Sequence, residues 1–278
     1  MSRLALAAIT TVLLTACSPT SESPSGGASS GNAPVTIARA AEVRWEQLNP
    51  ARGAASPRAA TLWGDRTGPG PAGFLLKPVD GFRSPPHIHG VAYRGVVISG
   101  LLHNDDPAAE DMWMGVGSFW TQPAGGIHIT AAQGDDSLAY IEVEDAFGVL
   151  PAAQAFEDAE RPVNVDASNV VWVDPPATSA TADGVKVAYL WGLHEGDGLR
   201  GLFVRLPGGG DATLGSRGST FQAVVIQGRP RHGDPSGAEA LEPGSLFRAD
   251  GAATHRLSCE AGADCVVYIR TNGEVDVQ

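Results

Sequence analysis

The sequence predicts an all-β fold built from two copies of one unit. No helical period persists along the chain after its first segment. Short runs of β-branched and aromatic residues alternate instead with Gly, Pro, Asp and Asn. The 278 residues include 35 Gly and 20 Pro, which indicates the frequent turns of an all-β chain. A third observation, an internal repeat, indicates that the unit occurs twice.

The repeat has a nearly constant spacing. Matching segments stand about 128 residues apart and keep the same order: Val43-X-Trp45 with Val170-X-Trp172, Leu62-Trp63-Gly64 with Leu190-Trp191-Gly192, Gly73–Lys77 with Gly201–Arg205, Val96–Gly100 with Val224–Gly228, and Gly117-Ser118 with Gly244-Ser245. We therefore predict two domains, residues 42–165 and residues 166–278.

The first segment is typical of an export signal. Arg3 supplies a positive charge, and an apolar run from Leu4 to Leu14 is too short for a membrane span. The run ends in Leu14-Thr15-Ala16-Cys17, which looks like a bacterial lipobox with cleavage before Cys17 and lipid on its thiol. An ordinary signal peptide with an incidental Cys is the alternative. We predict a lipoprotein signal peptide at 1–16.

Residues 17–41 are rich in Ser, Gly and Pro and are predicted to form a disordered tether. The protein would then be lipid-anchored in the bacterial cell envelope, on the periplasmic side. Ser18 follows Cys17 where an Asp would direct retention, so the outer membrane is the expected destination.

The charge balance limits the classes of partner that the protein is expected to bind. Nineteen Lys and Arg against 31 Asp and Glu give a net charge of −12. Nucleic acids and anionic membrane surfaces require a basic face, so neither is an expected partner, and membrane contact is expected only through the lipid anchor. A small-molecule ligand fits this composition, and a homodimer stays open.

Two cysteines remain beyond Cys17. Cys259 and Cys265 flank a turn-like sequence between two apolar runs, so antiparallel strands would place them nearly opposite each other. In an oxidising compartment this arrangement favours a disulfide, and two buried free thiols are the alternative.

Three histidines are candidates for metal binding. Side chains two apart on a strand share a face, so His87, His89 and Tyr93 would point the same way on a continuous strand. His128, arriving on a neighbouring strand, would complete a three-nitrogen site for one divalent metal. We expect the ring nitrogens to lie roughly 3 to 4 Å apart. A barrel that kept the pattern and lost the metal is the alternative.

These stretches resemble the paired motifs of the cupin superfamily. The first motif, from Gly81 to Gly100, contains His87-Ile88-His89, and the second, from Gly117 to His128, contains Pro123-Ala124-Gly125. Tyr93 stands where the family has a Glu ligand, and Ala132 where it has an Asn. The resemblance implies two tandem RmlC-like jelly-roll barrels, with Fe, Zn, Mn or Ni held by His87, His89 and His128.

From about Trp45 to Gly273 the chain resembles the bacterial two-cupin family catalogued as domain of unknown function 4437, which is related to the cupin domain of an anti-sigma factor. The residues that carry this resemblance include Leu62-Trp63-Gly64-Asp65, Ser84-Pro85-Pro86-His87-Ile88-His89 and Gly117-Ser118-Phe119-Trp120-Thr121-Gln122-Pro123.

The role of Tyr93 has two readings. It either binds the metal as a phenolate and closes the site, or stays neutral and hydrogen-bonds a metal-bound water. Trp120 and Gln122 are further candidates for the ligand pocket, Gln122 as a hydrogen-bond donor into it. For Trp120 and its aromatic neighbours, ordinary barrel packing is the alternative.

The second copy lacks most of these residues. At an offset of 128, His87 corresponds to Gly215, His89 to Arg217 and Tyr93 to Phe221, and only His255 repeats a ligand. The second domain is therefore expected to be a degenerate cupin that is structural, or that binds an anion through Arg217. His103 and His232 are expected in hairpin loops, without a binding role.

Two functions follow from these residues. The first is an exported lipoprotein that holds one divalent metal in its N-terminal barrel and binds or senses a small molecule. The second is a three-histidine, metal-dependent dioxygenase acting on a small organic substrate, in which Tyr93 is the catalytic candidate.

Overall fold

Strands make up nearly all of the regular structure, which confirms the all-β prediction. The computed structural model describes residues 32–176, 183–192, 196, 198–234 and 237–278. The predicted signal peptide, Cys17 and most of the predicted tether lie outside the described residues. No helix in the described part of the chain is long and apolar enough to cross a membrane.

The first half of the described chain contains the strands β1 (Val35–Ala38), β2 (Glu46–Gln47), β3 (Arg58–Trp63), β4 (Ala72–Lys77), β5 (His87–His89), β6 (Tyr93–Asp105), β7 (Phe119–Gln122), β8 (Ile129–Val143), β9 (Val149–Pro151) and β10 (Val163–Val165). Short 3-10 helices lie at Ala40–Glu42, Pro50–Ala55, Ala152–Gln154 and Ala167–Asn169.

The second half contains the strands β11 (Lys186–Trp191), β12 (Arg200–Leu206), β13 (Asp211–Ser216), β14 (Phe221–Gln227), β15 (Pro230–His232), β16 (Leu246–Ala249), β17 (Ala253–Cys259), β18 (Cys265–Thr271) and β19 (Val275–Val277). Every pairing between these strands is antiparallel.

Each half has one large and one small sheet. In the first half the large sheet has the order β10-β7-β6-β8-β4-β3-β2, and β5 pairs with β9. In the second half, where β1 from the start of the chain joins the edge of the large sheet, the order is β1-β16-β14-β18-β12-β11, and the small sheet is β15-β17-β13-β19. The order β7-β6-β8-β4-β3 in the first half matches the order β16-β14-β18-β12-β11 in the second.

Alternation along equivalent strands explains how the two halves meet. On β6, Val97 packs inside the first half, while Val96 and Ile98 point the other way. On β14, Val225 packs inside the second half, while Val224 and Ile226 point the other way. The outward-pointing residues of both large sheets form one shared apolar core, so strands buried on both faces read as continuous apolar runs.

Polar atoms inside this shared core are paired by the repeat. Trp63 Nε1 donates to the Tyr140 hydroxyl at 3.0 Å, and Trp191 Nε1 donates to the Tyr268 hydroxyl at 2.8 Å. Both pairs have a sequence separation of 77 residues, so each is the other's copy in the repeat. The same Trp-to-Tyr hydrogen bond is therefore made once from each side of the shared core.

A carboxylate lies between these pairs. Glu142, 1% exposed, accepts a hydrogen bond from the Tyr268 hydroxyl at 2.9 Å. Arg270 stands 128 residues later, and its Nε lies 3.9 Å from Glu142, while its Nη2 donates to Glu144 at 2.7 Å. Burial raises the pKa of Glu142 to about 7, an effect that Arg270 reduces.

The first strand corrects one prediction. Residues 17–41 were expected to form a flexible tether, but Val35–Ala38 form strand β1 and pair with β16, from Val35 opposite Ala249 to Ala38 opposite Leu246. The alternation of Val35-Thr36-Ile37 with its β-branched side chains favours a strand, which the Ser, Gly and Pro content of the preceding residues obscured.

The two remaining cysteines lie at the end of β17 and the start of β18. Cys259 and Cys265 form a disulfide with their Cα atoms 5.8 Å apart. These strands belong to different sheets and do not pair with each other, so the disulfide joins the small sheet of the second half to its large sheet and not two neighbouring antiparallel strands as expected.

Candidate metal centre

The three histidines lie inside the first half, on adjoining segments. His87 and His89 belong to β5, and His128 stands directly before β8. His87 and His128 exchange both backbone hydrogen bonds, each at 3.0 Å, which holds the two segments in register. One ring nitrogen from each histidine lies within 4.8 Å of the other two. The structure therefore brings together the three residues that the motifs indicated.

Backbone carbonyls orient all three imidazoles. Nδ1 of His87 lies 2.9 Å from the Pro85 oxygen, that of His89 lies 2.8 Å from Gly148, and that of His128 lies 2.9 Å from Gly126. A carbonyl only accepts hydrogen bonds, so each Nδ1 carries the proton. Each Nε2 is then left with a free lone pair, which is the arrangement that metal-binding histidines adopt.

Burial keeps these rings neutral. It lowers the pKa of His87, lowers the pKa of His89 well below its usual value, and lowers the pKa of His128 to about 4. Repulsion between the neighbouring imidazoles lowers the pKa values of His89 and His128 further. Neutral imidazoles are the form that binds metals, so the donor set fits a borderline divalent ion.

Tyr93 lies beside the three histidines, but not on one continuous strand with His87 and His89 as predicted. Residues 90–92 separate β5 from β6, so the continuous strand that was expected is broken. Even so, the Tyr93 hydroxyl lies 3.3 Å from His128 Nε2. It donates to Asn104 Oδ1 at 2.8 Å, and burial raises the pKa of this phenol above its usual value. The hydrogen bond to Asn104 is the contact expected of a neutral phenol, and the choice between the two readings stays a prediction.

Sequence reasoning missed Asn104. Tyr93 and Asn104 are eleven residues apart on β6, and strict alternation would place them on opposite faces. The two register shifts between Val97 and Leu101 change the alternation once overall, since Val97 and Leu102, five residues apart, both pack inside the first half. Asn104 is consequently 2% exposed and faces the histidine cluster. No sequence pattern marks the shifts, except that Gly100 lies within them.

Gln122 and Trp120, both predicted for the ligand pocket, are buried inside the first half. Gln122 does not donate into open space: its Nε2 donates to Gly126 at 3.2 Å, and its Oε1 accepts from Asn104 Nδ2 at 3.0 Å. Trp120 is 1% exposed and packs in the interior of this half. Its apolar packing agrees with the alternative reading.

An aromatic ring covers one side of the cluster. Phe147, in the loop between β8 and β9, stacks on His89 with ring centroids 4.3 Å apart and an interplanar angle of 22°. The loop is held by the Phe147 backbone N–H, which donates to Arg66 at 2.7 Å, and by Gly148, which accepts from His89. The sequence held no motif for this contact.

Gly125 shows why the second motif needs its glycine. Its φ is +71°, and a Cβ there would lie 2.4 Å from the Phe156 oxygen. Its backbone N–H also donates to the His89 oxygen at 2.9 Å. The turn that delivers His128 therefore depends on this residue.

In the second half, the register corrects the predicted correspondence. Leu214 pairs with His255 as His87 pairs with His128, so Leu214 and Ser216 occupy the places of His87 and His89. Arg217 does not enter the barrel: its side chain is 74% exposed and forms an ion pair with Asp276 at 2.8 Å. The proposed anion site at Arg217 is wrong, because the offset at this point is 127 and not 128.

Two other histidines were wrongly expected in hairpin loops. His103 lies on β6 and is fully buried, with Nδ1 accepting from the Met112 backbone N–H at 3.2 Å. His232 lies on β15, with Nε2 3.0 Å from His255 Nδ1. Within the described residues, His87, His89 and His128 are the one group of three metal-binding side chains.

Solved structures of other proteins share this fold. A proposed dioxygenase of Nostoc punctiforme is 14% identical, with a TM-score of 0.65, and the match covers 87% of this chain and 82% of the other. Salicylate 1,2-dioxygenase of Pseudoaminobacter salicylatoxidans is 15% identical, with a TM-score of 0.56 over 88% and 85%. Quercetin 2,3-dioxygenase of Acinetobacter baumannii is 14% identical, with a TM-score of 0.56 over 86% and 79%.

These identities establish likeness of fold alone. No curated protein matches the sequence. A family match covers residues 36–278, which is most of the chain and both halves of the fold. The chain belongs to the family described as Domain of unknown function (DUF4437).

Proposed function

We propose that the protein binds one divalent transition metal through Nε2 of His87, His89 and His128, and presents it to a small molecule. The observation that carries this proposal is the set of three Nδ1–H to carbonyl hydrogen bonds, which leaves three lone pairs for one ion. Fe, Zn, Mn and Ni all suit such a donor set.

The exogenous ligand completes the site in this proposal. The family's usual carboxylate ligand is replaced by Tyr93, which is committed to Asn104. Three protein ligands with an open position are typical of a metal that takes part in chemistry or recognition, whereas four closed ligands are typical of a structural ion. A bound metal would supply Lewis acidity at that position.

Metal analysis of purified protein tests the proposal. We expect about one metal ion per chain, and a loss of at least about tenfold in metal affinity for His128→Ala, since one of three ligands is removed. His232→Ala, which removes a half-buried imidazole of the second half, is the matched control and should retain the metal. Unchanged metal content in His128→Ala would refute the proposal.

A dioxygenase is the second candidate. Salicylate 1,2-dioxygenase and quercetin 2,3-dioxygenase are among the structural neighbours, and the three-histidine donor set without a carboxylate favours an open site. Iron(II)-loaded protein should then bind nitric oxide and give its characteristic electron paramagnetic resonance signal. Absence of that signal from the iron-loaded protein would leave metal-dependent binding or sensing, which the predicted relation to an anti-sigma-factor cupin domain also favours.

We also propose that the chain is exported and lipid-anchored through Cys17, on the periplasmic side of the cell envelope. The Leu14-Thr15-Ala16-Cys17 sequence supports this, and the Cys259–Cys265 disulfide suits an oxidising compartment. Cys17→Ser should yield unprocessed or soluble protein in cell fractionation. Processing and membrane association that continue as before would contradict the lipobox reading.

A further inference from the structure

A chain of hydrogen bonds surrounds the candidate metal centre, and its direction is fixed at one end. The Gly126 carbonyl accepts from His128 Nδ1 and from Gln122 Nε2. Because this carbonyl cannot donate, the Gln122 amide must present its NH₂ group to Gly126 and its Oε1 to Asn104. Gln122 and Asn104 are each 2% exposed, so water does not compete freely for these contacts.

The orientation of the Gln122 amide determines the orientation of the Asn104 amide. Its Nδ2 donates to Gln122 Oε1 at 3.0 Å, so its Oδ1 faces the other way. Oδ1 accepts from two hydroxyl groups, Tyr93 at 2.8 Å and Thr130 at 2.8 Å. The backbone oxygen of Asn104 also accepts from Asn164 Nδ2 at 3.0 Å, which steadies the residue.

The Tyr93 hydroxyl therefore donates its single proton to Asn104. It points to Asn104 and not to His128 Nε2, which lies farther away at 3.3 Å and whose lone pair a metal would occupy. What Tyr93 offers on the side of the three histidines is an oxygen lone pair. An oxygen that only accepts hydrogen bonds at this position stabilises a neighbouring ligand that carries a proton. It forms no hydrogen bond with an anion that has no proton.

We propose that Asn104 is a positioning residue that makes Tyr93 a hydrogen-bond acceptor toward the metal position. The site then selects ligands whose coordinating atom carries a proton, such as water, alcohols and hydroxy acids, over aprotic anions. This inference rests on the proposed metal site, and it assigns a ligand class that the three histidines alone do not determine.

Azide binding to the cobalt(II)-loaded full chain tests the inference, because azide is an aprotic anion and the cobalt absorption spectrum reports its binding. Tyr93→Phe should leave the azide dissociation constant within about twofold, since no hydrogen bond to azide is lost. Asn104→Leu should tighten azide binding by about tenfold, because the freed Tyr93 proton can then be donated to the anion.

Two further variants separate this role from a merely structural one. The double variant Tyr93→Phe with Asn104→Leu should return the azide affinity to the native value. Thr130→Val removes the other donor to Asn104 and leaves Tyr93 engaged, so azide affinity should not change. A general loosening of the site would not give this pattern of a gain that depends on the Tyr93 hydroxyl.

Each other outcome counts against the inference. Weakening of azide binding by tenfold in Tyr93→Phe would mean that Tyr93 donates to the anion, and this result decides the matter even if Asn104→Leu does not fold. Unchanged azide affinity in folded Asn104→Leu would also refute it. Failure of the native chain to bind cobalt would refute the proposed metal function itself, and with it the inference.

Discussion

At the scale of single residues, the candidate site depends on where protons sit. Each of the three imidazoles places a proton on Nδ1 because a backbone carbonyl stands beside it, and these carbonyls belong to Pro85, Gly148 and Gly126. No side chain has to be ionised to prepare the ligands. The site is thus oriented by the path of the backbone, which side-chain substitutions nearby disturb little.

Tyr93 gives a prediction at this scale. Its hydroxyl donates to Asn104, so Tyr93→Phe should leave metal content within about twofold of native, since the three protein ligands remain. Metal analysis of dialysed protein measures this, with His89→Ala as the variant expected to lose the ion. Loss of metal from Tyr93→Phe would show instead that the phenol binds it as phenolate.

At the scale of elements, the loop between β8 and β9 controls one side of the site. Phe147 lies against three aromatic rings, those of His89, Tyr93 and Phe74, with centroid distances of 4.3, 5.7 and 5.0 Å. Such contacts stabilise a loop over a site by roughly 1 kcal/mol each. The ring therefore restricts access to the cluster from this side.

Removing the ring should expose the cluster. Phe147→Ala is expected to release bound metal to an excess of chelator about tenfold faster, which corresponds to roughly 1.4 kcal/mol of lost stacking. A spectroscopic chelator assay measures the rate. Val149→Ala, which shortens an exposed side chain at the start of β9, is the control and should match the native rate. Equal rates for Phe147→Ala and native protein would exclude a covering role.

The same elements explain what the sequence could and could not predict. The paired motifs were sufficient to locate His87, His89 and His128, because spacing along short strands is local information. Asn104 could not be found, since the register shifts in β6 arise from pairing with β8 and carry no signal of their own. The correspondence of His87 with Leu214, and not with Gly215, is likewise set by the pairing of β13 with β17.

At the scale of the whole molecule, the repeat places complementary charges in one core. Glu142 and Arg270 are copies of each other at an offset of 128, one acidic and one basic, so the pair exists only because the two halves have diverged. A buried carboxylate costs stability when it ionises, unless its partners compensate fully. Here Arg270 donates most closely to Glu144, so compensation of Glu142 is incomplete.

Glu142 therefore predicts a dependence of stability on pH. Its pKa is raised from 4.5 to about 7 by folding, so its stabilising contribution is fully present below pH 4.5 and is lost as the pH rises through 7. The difference amounts to roughly 3 kcal/mol at most. Denaturant unfolding from pH 5 to 8 should show a smaller decline for Glu142→Gln than for native protein.

The exposed Glu157 provides the matched comparison for that measurement. Glu157→Gln should retain the native pH dependence, because its carboxyl lies at the surface in the segment that joins the two halves. Parallel curves for native protein and Glu142→Gln would mean that Glu142 stays ionised at low pH, fully compensated by its partners.

Strand β1 has a consequence for the time course of folding. Val35 pairs with Ala249, so the two sides of this ladder lie 214 positions apart in the sequence. When a chain is synthesised or translocated from its N-terminus, β1 emerges long before β16 exists. Closing so long a loop is slow and entropically costly, and an unpaired strand invites association with other chains in the meantime. Strand β1 can thus pair with the edge of the six-stranded sheet only after almost the whole second half has been synthesised or translocated. We therefore expect this four-residue ladder to form in a late, rate-limiting phase of folding and to be a place where a chaperone protects the chain.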